Sequence, residues 1–125
     1  VKPATVLFGR PLPRIFFDCA EHDLPTVDLL FIVGTSLVVS PAKSLVYRVP
    51  DTTKRVVVNL EPVGQDLGID YSKSSCRDLF LQGTCDQIFL DLLCELEWID
   101  ELDSVMHMLP KSSIDLIRKK QNVST

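Results

Sequence analysis

Asp28-Leu29-Leu30-Phe31-Ile32-Val33-Gly34-Thr35-Ser36 is the stretch on which the reading of this chain turns. Five consecutive apolar residues, 29–33, stop abruptly at Gly-Thr-Ser. An uninterrupted apolar run this short reads as a strand buried on both faces, as in a parallel sheet. Gly34 permits a tight turn or the close approach of a ligand to the backbone. Thr35 and Ser36 then offer hydroxyls and N–H groups at the carboxyl end of the strand. Open α/β sheets bind nucleotides at that edge. The plainer reading is a capped strand–helix turn, and turn chemistry accounts for the same residues equally well.

Working outward, residues 4–8 read as another strand, ending at Gly9-Arg10-Pro11. A helix is expected over 13–21, with Pro13 in its first turn and Ile15, Phe16, Cys19 and Ala20 on one face. Ser40 and Pro41 suit the N-cap and first position of the next helix, which carries Ala42, Leu45, Val46 and Val49 and stops at Pro50-Asp51. Residues 55–59 are rich in β-branched side chains and read as a third strand, followed by a loop over 62–76. Residues 78–82 form a short fourth strand closed by Gly83. Asp86 is read as the cap of a helix reaching about Trp98 and burying Ile88, Phe89, Leu92, Leu93 and Leu96. The tail from Asp103 is helical in patches, broken at Leu109-Pro110, and frays into a polar end. Strands alternating with helices imply right-handed crossovers and an α/β fold: a partial, Rossmann-like, doubly wound parallel sheet of about four strands.

A chain of 125 residues suffices for one domain with a real core. Its 46% hydrophobic and 24% charged content is ordinary for a globular protein. A net charge of −4 gives no electrostatic reason to expect a nucleic-acid backbone as partner. No apolar run approaches a membrane span, and no secretory pattern opens the chain, so a cytoplasmic or nuclear protein is the default. Cys19, Cys76, Cys85 and Cys94 form no C-x-x-C pair and match neither zinc nor redox spacing. They read as free thiols of a reducing compartment. The sequence starts at Val1 almost directly in a strand and is read as a piece of a longer protein.

Two further strand ends carry polar groups. At Asn59-Leu60-Glu61 a carboxylate can accept hydrogen bonds from ribose hydroxyls, and Asn59 adds a donor and an acceptor. Alone, these residues would be a strand terminus meeting solvent. Gly83-Thr84-Cys85-Asp86 opens a helix whose N–H groups can face a ligand, or is simply a capped helix start. Several such ends on one sheet edge favour a nucleotide crevice. Phe8-Gly9-Arg10 can pair with an extended peptide by strand addition, or form a rigid loop with the prolines that follow. His22 and His107 have no partner at useful spacing, and no nucleophile–base arrangement stands out.

Taken in order, Lys2-Pro3, Phe8-Gly9-x-x-Leu12-Pro13, Val27-Asp28-Leu29-Leu30 and Val33-Gly34-Thr35-Ser36-Leu37-x-Val39-x-Pro41-Ala42 form the first part of a longer pattern. Asn59-x-Glu61, Asp78-x-x-Leu81-x-Gly83-x-Cys85-Asp86 and Glu97-Trp98 complete it. The pattern resembles the sirtuins, NAD-dependent protein lysine deacylases, and most of all their eukaryotic cytosolic or nuclear branch. The resemblance covers residues 1–102, leaving 103–125 as a partly helical tail.

The resemblance implies that Gly34, Thr35 and Ser36 contact the ribose and phosphates of NAD. It places Asn59 and Glu61 at the adenosine ribose, Leu60 in the pocket lining and Cys85 at the adenine. Phe8, Gly9 and Arg10 would pair with the acyl-lysine peptide. Arg10 departs from the family, which carries Glu there. The family's glycine-rich NAD loop, catalytic histidine and four-cysteine zinc module have no counterpart in these residues. The resemblance therefore implies the C-terminal half of a catalytic domain, with NAD as cofactor and zinc held elsewhere in the parent protein. Neither a catalytic residue nor a metal ligand is expected in the chain itself, which is expected to be inactive alone. Expected partners are acyl-lysine proteins, histone or non-histone, and the other half of the domain, with no nucleic acid or membrane. The competing readings are a protein ADP-ribosyltransferase using the same site and a non-catalytic nucleotide-binding or interaction module.

Overall fold

Three apolar runs become β1 (Leu29–Val33), β2 (Lys54–Asn59) and β3 (Asp78–Gln82). The computed structural model describes residues 5–7 and 9–122. The strands pair in parallel in the order β1-β2-β3, with Phe31 level with Val56 and Leu79, and Leu30 level with Arg55 and Asp78. Central β2 has a partner on each side, and its Val57 and Val58 are fully buried. Burial of one such side chain contributes about 1.5–3 kcal/mol.

The α/β class and the parallel sheet agree with the alternation of elements in the sequence. The strand count does not: the described sheet has three strands, not four. Residues 5–7 of the expected first strand form no strand, and Val6 and Leu7 are exposed. Among the described residues they have no strand to pair with, and hydrophobic character alone does not make a strand. Ala4 and Phe8 lie outside the described residues.

One face of the sheet packs against Val46 and Ile69, joining Ile32 and Val57 in a core flanked by Leu30, Leu37, Val63, Leu67, Tyr71 and Phe80. The other face is only partly covered. β1 is therefore not buried on both sides, since Leu29, Phe31 and Val33 keep 48%, 40% and 37% of their surface exposed. The helix on that side reaches β1 where Phe89 meets Phe31, ring centroids 5.9 Å apart. The outer edge of β1 has no partner among the described residues.

Helix α1 (Arg14–Asp23) takes Pro13 as its N-cap, just ahead of the first turn. Of its expected inner face only Ala20 is buried, against Leu24 and Val49; Ile15 and Cys19 are exposed. The next helical segment is a 3-10 turn, Ala42–Ser44, running into the short α2 (Leu45–Arg48). Ser40 is not its cap. Pro41 holds that position, and the Ser44 hydroxyl donates to its carbonyl at 2.6 Å.

Helix α3 (Cys85–Glu95) is capped by Thr84 rather than Asp86: the Thr84 hydroxyl accepts from the Gln87 N–H at 3.4 Å. Asp86 sits in the first turn, where a carboxylate suits the positive end of the helix. The helix stops short of Trp98, and Glu97 takes a φ of +57° just beyond it. Leu90 is its buried residue, while Leu96 is 42% exposed. The reason lies in the tail. After 3-10 turns at Ile99–Ser104 and Met106–Met108, Pro110 caps α4 (Lys111–Gln121). Ile117 of α4 closes a cluster with Leu90 and Ile99, and Lys120 pairs with Asp91, so the tail is packed onto α3.

Candidate nucleotide site

The carboxyl ends of all three strands open into one crevice of about 570 Å³. Gly34, Thr35 and Ser36 line it from β1; Asn59, Leu60, Glu61 and Val63 from β2; Gly83, Thr84 and Cys85 from β3 and the start of α3. Every residue assigned to the cofactor from sequence is thus brought to one place. The volume lies within the roughly 300–1,000 Å³ usual for small-molecule sites.

The β1 wall is a tight turn. Gly34 has a φ of +59°, in the left-handed region that favours glycine. The Gly34 N–H donates to Val58 O at 3.0 Å, extending the ladder by one residue. The Thr35 hydroxyl accepts from the Leu37 N–H at 3.1 Å, so it is engaged in the turn. Ser36 is exposed and is held by no other described residue. The two neighbours therefore differ: Thr35 builds the bend, and the Ser36 hydroxyl is unengaged among the described residues.

The β2 wall has a similar division. The Asn59 side-chain amide donates to Thr35 O at 3.3 Å and to Glu61 O at 3.0 Å. Its two protons thus tie the β1 and β2 walls together, and its carbonyl oxygen remains as an acceptor. The exposed Glu61 carboxylate has no hydrogen-bond partner among the described residues. Leu60 is 62% exposed, and its carbonyl accepts from Gln82 Nε2 at 3.0 Å. The third wall is the N-terminal turn of α3, where unpaired N–H groups and the helix dipole favour an anion.

Val63, Gly83 and Thr84 also line the crevice. The last two belong to a stretch whose sequence already suggested a ligand-facing helix start. Val63 carries no such mark, because it follows Pro62 in a segment legible only as loop. What fixes that segment is a group the sequence reading passed over. Arg55 Nε and Nη2 donate to the two carboxylate oxygens of Asp78 at 2.6 and 2.7 Å, with both side chains only 2% exposed. Arg55 also donates to Val46 O at 3.1 Å and Gly68 O at 2.8 Å, and Asp78 accepts from the Asp70 N–H at 2.8 Å. Burial pushes the Asp78 carboxyl up, but the hydrogen bonds from Arg55 and Asp70 and the charges of Arg55 and Arg77 bring it below its ordinary value. The Tyr71 hydroxyl donates to Val63 O at 2.6 Å. Burial, assisted by the charge of Asp78, raises the Tyr71 phenol, which keeps that donor protonated.

Gly9 and Arg10 lie elsewhere, in a smaller groove of about 290 Å³ shared with Val6, Leu7, Leu12 and Val39-Ser40-Pro41-Ala42. Phe8 lies outside the described residues. Neither His22, in the last turn of α1, nor His107, in the turn before α4, lines the crevice. Among the described residues, no group of three or more His, Cys, Asp or Glu side chains is placed to hold a metal ion. No described helix is long and apolar enough to cross a membrane.

A parallel sheet whose strand ends surround a crevice with a helix N-terminus defines the architecture of nucleotide-binding α/β proteins. The profile described as "Sir2 family" matches residues 1–41. The chain is 42% identical over 105 residues to NAD-dependent protein deacetylase hst2-2 of Emericella nidulans, covering 84% of this chain and 28% of that protein. It is 38% identical over 117 residues to NAD-dependent protein deacetylase sirtuin-2 of Danio rerio, covering 85% and 31%. Against NAD-dependent protein deacetylase hst2 of Schizosaccharomyces pombe it is 35% identical over 106 residues, covering 85% and 30%. The chain belongs to the Sir2 family. It spans less than a third of the length of these three curated relatives.

Proposed function

We propose that this chain is part of an NAD-dependent protein lysine deacylase and holds the adenosine side of NAD. The convergence of three strand ends on one crevice carries this reading. The printed names of the relatives, all NAD-dependent protein deacetylases, support it. When bound, NAD supplies the ribose that receives the acyl group of lysine as nicotinamide leaves.

The residues present suit that cofactor. The free carboxylate of Glu61 accepts hydrogen bonds from the vicinal hydroxyls of a ribose. The Ser36 hydroxyl and the first turn of α3 face the phosphates. Leu60 and Cys85 offer apolar and polarisable surface to the adenine. Asn59 keeps the first two walls at a fixed separation through its bonds to Thr35 and Glu61. Gly9 and Arg10 contribute to one side of the acyl-lysine peptide cleft, the role that the family resemblance also gives to Phe8. The general base and the zinc module of the family are assigned to the rest of the parent protein. Residues 1–102 make up the catalytic-domain half, and residues 103–125 are its tail. The free thiols of Cys19, Cys76, Cys85 and Cys94 suit the cytoplasm or nucleus.

Titration of the full-length protein with ADP-ribose in a calorimeter tests the reading. Saturable binding that weakens at least tenfold in Glu61→Ala is expected. The absence of binding by the wild-type protein would overturn it. The 125-residue chain alone should show no deacylase turnover, because the general base is assigned to the rest of the parent protein and neither His22 nor His107 matches its position in the family.

A further inference from the structure

We infer that the buried pair Arg55–Asp78, which touches no part of the crevice, positions two of its walls. The inference rests on the reading of that crevice as the nucleotide site. Arg55 is the second residue of β2 and Asp78 the first of β3. They sit at the opposite end of the strands from Asn59, four residues and about 13 Å away. Their influence must therefore pass through the segments that they hold.

Arg55 holds two. Its Nη1 bonds Val46 O, at the end of the segment that leaves β1 through Gly34-Thr35-Ser36. Its Nη2 bonds Gly68 O, in the segment that leaves β2 through Leu60, Glu61 and Val63. Asp78 adds the Asp70 N–H of that second segment. Five charge-assisted hydrogen bonds thus join β2, β3 and both wall-bearing segments in one network. Planar, forked guanidinium geometry makes this possible, and a lysine could not reach all of the same acceptors.

The two segments also meet near the crevice itself. Leu37, with a φ of +54°, follows Ser36 directly and packs against Gly64. A Cβ on Gly64 would stand 2.9 Å from Leu37 Cδ1 and 2.6 Å from Ile69 Cδ1, so glycine is what lets the segments close. A non-glycine residue at positive φ persists only where its surroundings hold it there. The pair at the far end of the sheet supplies part of that hold, by fixing both segments beyond the Leu37–Gly64 contact.

A structural role and a positioning role give different results in the double variant Arg55→Met/Asp78→Leu, made in the full-length protein. Well-packed apolar residues can replace a buried ion pair with little loss of stability. They cannot bond Val46 O, Gly68 O or the Asp70 N–H. The melting temperature should therefore stay near wild type, while ADP-ribose affinity falls at least fivefold. Hydrogen exchange without ligand should quicken at least tenfold at the Leu37 and Ile69 amides and remain unchanged in β2. The single variant Asp78→Asn, closer in shape, should move both readouts in the same direction by less and covers the case of a double variant that does not fold. Native exchange at Leu37 and Ile69 in either folded variant, or affinity within twofold of wild type, would overturn the inference. Wild-type protein that fails to bind ADP-ribose defeats the nucleotide reading instead, and ligand-free exchange still decides whether the pair positions the walls.

Discussion

Gly34 and Cys85 face each other across the crevice: a Cβ built on Gly34 would stand 3.4 Å from the Cys85 sulfur. The end of β1 and the first residue of α3 are thus separated by little more than one methyl group. Gly34→Ala meets that contact and also a φ of +59°, where an L-residue costs about 1–2 kcal/mol. The variant should melt several degrees lower and bind ADP-ribose more weakly. Adding Cys85→Ala should recover neither, because a Cβ 3.4 Å from the sulfur is an ordinary contact and the backbone strain at Gly34 remains. Differential scanning fluorimetry and calorimetry on the two variants check both halves of the expectation.

Glu61 combines exposure with the absence of any partner among the described residues. A carboxylate so placed contributes little to folding, since surface substitutions away from caps and networks stay within about 0.5 kcal/mol. As a ribose acceptor it contributes more, because hydrogen bonds to charged groups are worth about 1.5–3 kcal/mol. Glu61→Gln should leave the melting temperature unchanged and weaken ADP-ribose binding roughly tenfold or more. Parallel thermal and calorimetric titrations separate the two effects.

The order of elements was legible in the sequence because each strand is a dense apolar run ending at Gly or at polar residues. The residues that line the crevice were legible for the same reason: Gly34, Asn59 and Cys85 are strand-end or helix-start positions, and a parallel sheet brings such positions to one edge. The strand expected at 4–8 was not, because a short apolar run does not reveal whether a neighbouring strand exists. The cap of α3 was misplaced by two residues, since Thr84 and Asp86 are both good caps and only backbone geometry separates them. The burial of Leu90 depends on α4, whose docking has no local mark. Arg55 and Asp78 are distant in sequence, and they become one network only when β2 and β3 lie in register.

Acid should weaken the fold partly through Asp78. Its folded-state carboxyl titrates below the ordinary value of 3.8 despite burial, owing to Arg55, Asp70 and Arg77. Between these two values the unfolded chain binds more protons than the folded one. The stabilisation is therefore complete well above pH 3.8 and is lost as pH falls through the lower, folded-state value. Urea unfolding between about pH 5 and pH 2 should show stability declining with acid. In Arg55→Met/Asp78→Leu that decline should be shallower, so that the curves run together near neutral pH and separate at the acid end. Identical slopes in the two proteins would assign the acid sensitivity to other carboxylates.

Arg10 reverses the charge that the family places after Phe-Gly, and it lines the groove formed with Val39-Ser40-Pro41-Ala42. A contact made through the backbone survives this exchange, since strand addition uses N–H and C=O groups whatever the side chain. In the proposed peptide cleft, the guanidinium would act instead on the residues that flank the acyl-lysine. It repels the lysines and arginines of a basic tail and attracts acidic neighbours. An exposed pair of this kind is worth roughly 0.2–1 kcal/mol, and salt screens it. Turnover of the full-length enzyme on peptide arrays should therefore favour acidic or neutral flanks over basic ones by a few-fold, more at low ionic strength. Arg10→Glu should invert the order while leaving ADP-ribose affinity unchanged, because Arg10 lies outside the crevice. Arrays that rank peptides identically before and after the substitution would remove Arg10 from the determinants of specificity.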